Sequence, residues 1–298
     1  MFKNQSGQVR AGWLILLTFT TMLIGQQLFS LPGTFLLFFT EAPSSDYQDI
    51  LAAFDAHPWI FLLMQGGGTA GGILITFLLW RFMNKGTMKQ LGFRGSLNNL
   101  WFGLFLGALS ITVIFIVLLA TADVTLLNSL SNPQFSLFTV TFLILFVLVG
   151  VFEEMFFRGY IMSTMETRGN KKWVIYVASA LIFSAAHLAN PNVSIVGLVN
   201  IALVGILFAY MFDATKSLWL PIGYHITWNY FQGNIFGFAV SGTTPNGIYG
   251  VEVAEGRDWL TGGAFGLEGG ILATALILAG FIATKLYVKW QHKKQTGS

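Results

Sequence analysis

Two adjacent carboxylates and a guanidinium interrupt an apolar run at Phe152-Glu153-Glu154-Met155-Phe156-Phe157-Arg158-Gly159-Tyr160, and the stretch from Phe138 to Phe152 before them carries no charge. An ionisable side chain at membrane depth costs about 2.5 to 3.5 kcal/mol on insertion scales, so such groups mark working positions and need partners. Residues four apart share a helix face, which pairs Glu154 with Arg158 and leaves Glu153 about 100° round the helix. The same spacing joins Phe183 to His187 and His225 to Asn229. A carboxylate and an imidazole that hold one water can do hydrolysis, with the carboxylate taking the proton. A second imidazole and an amide can donate to the oxyanion that develops. Glu153 and His187 suit the first task, His225 and Asn229 the second, and Glu154 with Arg158 is expected to orient Glu153.

The elements that must position these groups are membrane helices. The chain of 298 residues is 54% hydrophobic and only 10% charged, against about 25% charged in soluble domains, and its mean hydropathy is +0.67. A hydrocarbon core of about 30 Å takes about 20 helical residues. Spans are expected at residues 13–39, 59–83, 101–122, 138–165, 173–189, 193–213, 217–236 and 270–290, about eight in all. Asn190, Pro191 and Asn192 form the turn between the fifth and sixth. Basic residues fall at the amino terminus, in the second, fourth and sixth loops and in the tail, while the first, third and fifth loops have none. Cytoplasmic loops carry the Lys and Arg excess, so both termini are expected in the cytoplasm. At about 1.5 Å per residue from the cytoplasmic span ends, Glu153 and Asn229 lie about 18 Å deep, His187 about 21 Å and His225 about 12 Å. One polar cavity at mid-membrane can hold all four.

Other classes fall away on composition. The net charge of +3 comes from basic residues scattered at span ends, with no patch for nucleic acid. There is no cysteine, which removes thiolate ligands, disulfides and a thiol nucleophile. Lys3 and Arg10 precede an apolar stretch too long for a signal-peptide core, which reads as a retained first membrane helix. The chain reads as one membrane domain over 1–298, with a motif-bearing core at 135–236. Gly66, Gly67, Gly68, Gly71 and Gly72 permit close helix approach inside the second span. Trp59, Trp80, Trp101, Trp173, Trp219 and Trp290 read as interfacial anchors, whereas Trp228, inside the third motif, is placed to wall a pocket. The connection from Gly237 to Gly269 is the longest, and either a lid or a solvated connector fits it.

Taken together, Glu153-Glu154-x-x-x-Arg158, Phe183-x-x-x-His187 and His225-x-x-x-Asn229 resemble, in order and on successive membrane segments, the three motifs of the CPBP (Abi) family. That family includes type II CAAX prenyl endopeptidases and bacteriocin-immunity proteins. The resemblance implies an all-α polytopic bundle in a cell membrane, of bacterial type, that cuts a membrane-anchored peptide. It implies Glu153 and His187 as the groups that activate water, with His225 and Asn229 as the oxyanion hole. The family is often labelled metalloprotease, and Glu153, His187 and His225 could ligate Zn²⁺. No His-Glu-x-x-His is present, and a metal-independent mechanism is favoured. Two other readings compete: a non-catalytic immunity or scaffold protein of the same family, and a proton-coupled transporter, which would normally show related repeats and broken helices.

Overall fold

The computed structural model describes residues 2–3, 7–40 and 47–296. The chain runs through α1 (Ala11–Thr40), α2 (Tyr47–Ala56), α3 (Pro58–Met83), α4 (Met88–Leu91), α5 (Asn98–Ala120), β1 (Val124–Leu126), α6 (Leu137–Glu154), a π-helical segment (Met155–Met162) and α7 (Ser163–Thr167). It continues through α8 (Lys172–Ala186), α9 (Ile195–Thr215), α10 (Trp219–Tyr230), a second π segment (Phe231–Ile235), β2 (Val251–Val253), α11 (Asp258–Thr261), two short 3-10 turns and α12 (Ile271–Thr296). This is an all-α polytopic membrane bundle.

Among the described residues, six helices are long and apolar enough to cross a membrane: Ala11–Thr40, Pro58–Met83, Asn98–Ala120, Leu137–Thr167, Ile195–Thr215 and Ile271–Lys294. The segments expected as the fifth and seventh spans are helical but fall short of that length, which corrects the expected count of eight. α8 has 15 residues, about 22 Å of helix, because its end is set by the Asn190-Pro191 turn. The residue before a proline is pushed out of helical backbone, and Asn192 takes a left-handed conformation at φ 54°. α10 has 12 residues and continues only through the 5-residue π segment.

Backbones approach closely where the sequence supplies glycine. The α3 glycines pack on α1: a Cβ at Gly67 would lie 2.7 Å from the Phe29 carbonyl oxygen. On the other face of α3, Gly72 takes the ring edge of Phe152, the residue before Glu153, where a Cβ would come within 2.6 Å. α5 and α10 meet more tightly still. A Cβ at Gly103 would sit 2.2 Å from Leu220 O, and one at Gly223 would sit 2.4 Å from Leu100 O. Thr227 donates to Leu104 O across the same seam at 2.8 Å. This contact fixes the helix that carries His225 and Asn229.

α8 and α9 form a hairpin tied at both ends. Asp213 of α9 accepts from Tyr176 of α8 at 2.9 Å and pairs with Lys172, and Ser184 donates to Leu198 O at 2.8 Å. Outward faces are apolar, with Leu16, Leu28, Phe35 and Phe39 of α1 all more than half exposed, as a lipid-facing helix requires. Trp59, Trp101, Trp173 and Trp290 are also exposed. Trp80 is not an interfacial anchor: it is buried, donates its Nε1–H to Thr87 O at 3.0 Å and meets Tyr160 edge-on.

The connection 237–270 is folded. β2 pairs antiparallel with β1, Val124 opposite Val253. Asp123 accepts from Arg257 at 2.6 Å and from Thr121, and Ala254 N donates to Asp123 O at 3.0 Å. Phe238, Val240, Phe265 and Leu267 are buried beneath it.

Two predictions follow from these contacts. Alanine is the better helix former by up to about 1 kcal/mol, yet Gly223→Ala should lower stability by about 1 to 3 kcal/mol through overpacking against Leu100. Gly12→Ala, where a Cβ meets nothing within 4 Å, should not; thermal melts in one detergent compare them. The hydrogen bond from Arg257 holds the Asp123 carboxyl below its ordinary range. A depressed carboxyl stabilises above the unfolded pKa of about 3.9 and loses its contribution as pH falls through the folded value. Protection factors over 251–257, which take out the intrinsic pH dependence of exchange, should therefore fall as the pH drops below about 4, and Arg257→Gln should weaken that dependence.

Candidate active site

The π segment follows Glu154 directly, and all eight of its residues are buried. Such wide turns are rare and occur at functional sites. Here the segment turns Arg158 inward. The Arg158 and Glu154 side chains are both fully buried, with Nη1 donating to Glu154 Oε1 at 2.9 Å. The guanidinium lies over the Phe183 ring at 4.3 Å and the Phe208 ring at 5.1 Å from their centroids, and Nη2 reaches the Gly205 carbonyl at 3.4 Å. One cation is thus surrounded by groups from α6, α8 and α9.

The same Glu154 oxygen accepts from His225 Nδ1 at 3.0 Å. A carboxylate is an acceptor, so the hydrogen sits on Nδ1 and the ring is held in one orientation. His225 Nε2 then faces Glu153 Oε2 at 3.6 Å. This corrects one expectation: Glu154 and Arg158 orient His225, and they reach Glu153 only through it. Glu153 Oε2 is buried and has no hydrogen-bond partner, an arrangement that costs free energy unless a ligand or water supplies the donor.

His187 caps the end of α8 and is half-buried. Its Nδ1 lies 2.8 Å from Phe183 O, four residues back. A carbonyl only accepts, so Nδ1 carries the hydrogen and Nε2 keeps the lone pair. The four-residue spacing of that motif is therefore one hydrogen bond, and Phe183 also meets Arg158 and stands edge-on to His187 at 4.9 Å.

Glu153, His187, His225, Trp228 and Asn229 all line one cavity of about 380 Å³. Trp228 forms part of its wall, as its place in the third motif indicated. Glu154 and Arg158 stand behind that wall. Phe146, Val149, Ile201, Val204 and Phe208 supply apolar lining. Four polar lining groups carried no signal in the sequence: Gln65, Asn190, Asn200 and Glu268. Asn190 was legible only as a turn former and Glu268 only as a loop acid. Among the described residues no three His, Cys, Asp or Glu side chains are grouped as metal ligands. Each Nδ1 donates to an internal acceptor, which leaves each Nε2 as the nitrogen able to face a ligand, but Glu153, His187 and His225 are not grouped as a Zn²⁺ set.

Breaking the buried pair has a definite cost. Arg158→Met leaves Glu154 as an uncompensated buried charge and should destabilise by about 3 to 5 kcal/mol. The double variant Glu154→Gln/Arg158→Met should recover most of that loss; chemical denaturation in micelles measures both.

No curated protein and no solved structure matches the chain. Residues 133–231, which hold all three motifs and end before the 237–270 connection, match the family model described as type II CAAX prenyl endopeptidase Rce1-like, the family that the motifs resemble.

Proposed function

We propose that the protein is an intramembrane endopeptidase that cuts a peptide bond of a membrane-associated substrate at the cavity between α6, α8 and α10. The observation that carries this reading is Glu153: its Oε2 is buried and unpaired, 3.6 Å from an imidazole whose tautomer a second carboxylate fixes. Such a group takes its hydrogen bond from water or substrate.

In the reaction, Glu153 accepts a proton from a water held between it and His187 Nε2. The water oxygen attacks the scissile carbonyl carbon, and the carbonyl π electrons move to its oxygen. Asn229 and His225, the latter when both ring nitrogens carry hydrogen, donate to that oxyanion. As the C–N bond breaks, the leaving nitrogen takes the proton back from Glu153. The apolar walls hold the flanking side chains and exclude bulk water, which strengthens each of these hydrogen bonds. No step runs through a metal.

The test uses the purified protein in liposomes with a membrane-peptide substrate found by comparing peptide fragments from cells that carry wild type or Glu153→Gln. Glu153→Gln and His187→Ala should each lower kcat/KM by about 10² to 10⁴, and Asn229→Ala by about 10² to 10³, with thermal midpoints held. Cleavage should survive a chelator. Wild-type rates in both Glu153→Gln and His187→Ala would rule the assignment out.

A further inference from the structure

The cavity has a second carboxyl on its wall, Glu268, which lies outside the matched segment and in the connection before α12. It is only 8% exposed. The chain uses several otherwise unrelated groups to hold it there. Asn200 of α9 donates to the Glu268 and Gly270 carbonyls at 2.8 and 3.0 Å, and its own oxygen accepts from Thr274 at 2.7 Å. Gly266, at φ +106°, passes against the Ala239 carbonyl, where a Cβ would come within 2.1 Å. Ser241 is kept in a left-handed conformation at φ 47°, with Asn190 donating to its carbonyl at 3.0 Å.

Gln232 donates to Glu268 Oε2 and the Ser241 hydroxyl to Oε1, the latter at 3.2 Å, and the backbone N–H groups of Ser241 and Glu268 also donate to the carboxyl. All of these donors are neutral, so no cation balances the charge of the carboxylate. Gln232, fully buried beside it, has an Oε1 with no partner. No Lys or Arg lines the cavity, and among the described residues none pairs with Glu268. Burial pushes this carboxyl up to about 7, a cost that a bound cation would offset.

We propose that Glu268 is a specificity-determining residue that binds a cationic group of the substrate, a Lys or Arg side chain or a free amino group, a few residues from the bond to be cut. This rests on the hydrolytic reading of the same cavity. A substrate carboxylate would meet Glu153 and Glu268 with no guanidinium or ammonium to receive it, so an amino-bearing peptide fits the electrostatics and a free carboxyl terminus opposes them.

Two arms separate this inference from the hydrolytic reading. In the first, the inactive Glu153→Gln protein in detergent is titrated with acetylated, amidated apolar pentapeptides that differ only in a central Lys or norleucine. The Lys peptide should bind at least about tenfold more tightly, about 1.4 kcal/mol, and adding Glu268→Gln should bring the ratio to about one. A purely structural Glu268 would shift the thermal midpoint and leave the ratio between the peptides unchanged, and that result overturns the proposal. In the second arm, wild type, Glu153→Gln and Glu268→Gln in liposomes are each given a proteome-derived peptide library prepared by cleavage after Glu. Cut sites should be enriched for Lys and Arg in wild type only. Equal enrichment in wild type and Glu268→Gln also overturns it. Lys-selective binding in the first arm without any Glu153-dependent cleavage in the second would remove the hydrolytic reading while keeping the cation site.

Discussion

The structure depends on keeping ionised groups inside a lipid-embedded bundle. Glu154 and Arg158 are completely buried, where a lone charge would cost several kcal/mol, and neighbouring elements compensate them except at Glu154 Oε2 and Arg158 Nε, which have no hydrogen-bond partner. Arg158 has a carboxylate, a carbonyl and two aromatic faces; Glu154 has the guanidinium and an imidazole on the same oxygen. Because that imidazole belongs to α10 and the rings to α8 and α9, satisfying the charges also fixes the relative placement of four helices. Fold and site are here one constraint, and a change that removes a single partner acts on both.

The glycine seams make that convergence reachable. α10 brings His225 to Glu154 only because Gly103 and Gly223 let its backbone settle on α5, and α6 reaches its place because Gly72 admits the Phe152 ring. Bilayer interiors offer no hydrophobic drive for helices to associate, so close approach and interhelical hydrogen bonds carry the assembly. Thr227 to Leu104 and Ser179 to Phe157 are bonds of this kind. The second one takes up a carbonyl within the π segment, where the wider turn changes which carbonyls are capped internally.

Much of this was legible in the sequence, and its limits are instructive. The apolar lengths and the i to i+4 pairs locate the helices and bring Glu154 to Arg158 because both rest on local geometry. Phe183 and His187 likewise make a bond within one turn. What periodicity does not carry is the direction of a side chain once the helix type changes. The π turn rotates Arg158 toward α9, so Glu154 meets His225 rather than serving Glu153. Trp80 looked like an anchor because it lies near a span end, but the chain returns over it at Gly86, where a Cβ would fall 2.1 Å from the indole. The short α8 was hidden for a similar reason: apolar residues run on to Leu188 past the last helical hydrogen bonds, and composition does not distinguish a helix from the turn that ends it. Glu268 lay beyond sequence reasoning altogether, because its position follows from long-range bonds to Asn200, Gln232 and Ser241.

The two imidazoles that line the cavity differ in what stands behind them. Both give up Nδ1, His187 to a backbone carbonyl and His225 to a carboxylate. A neutral carbonyl fixes a tautomer without adding charge, which leaves Nε2 of His187 a plain lone pair at a half-buried helix end, suited to holding water. A carboxylate behind His225 stabilises positive charge on the ring whenever a second proton arrives, and Glu153 faces the nitrogen that would carry it. In the proposed reaction, this difference in the second partner, rather than any difference in the rings, is what suits one histidine to the base side and the other to the anion side. The difference follows from where the helices place the rings, His187 at the C-terminal end of α8 and His225 within α10 against Glu154.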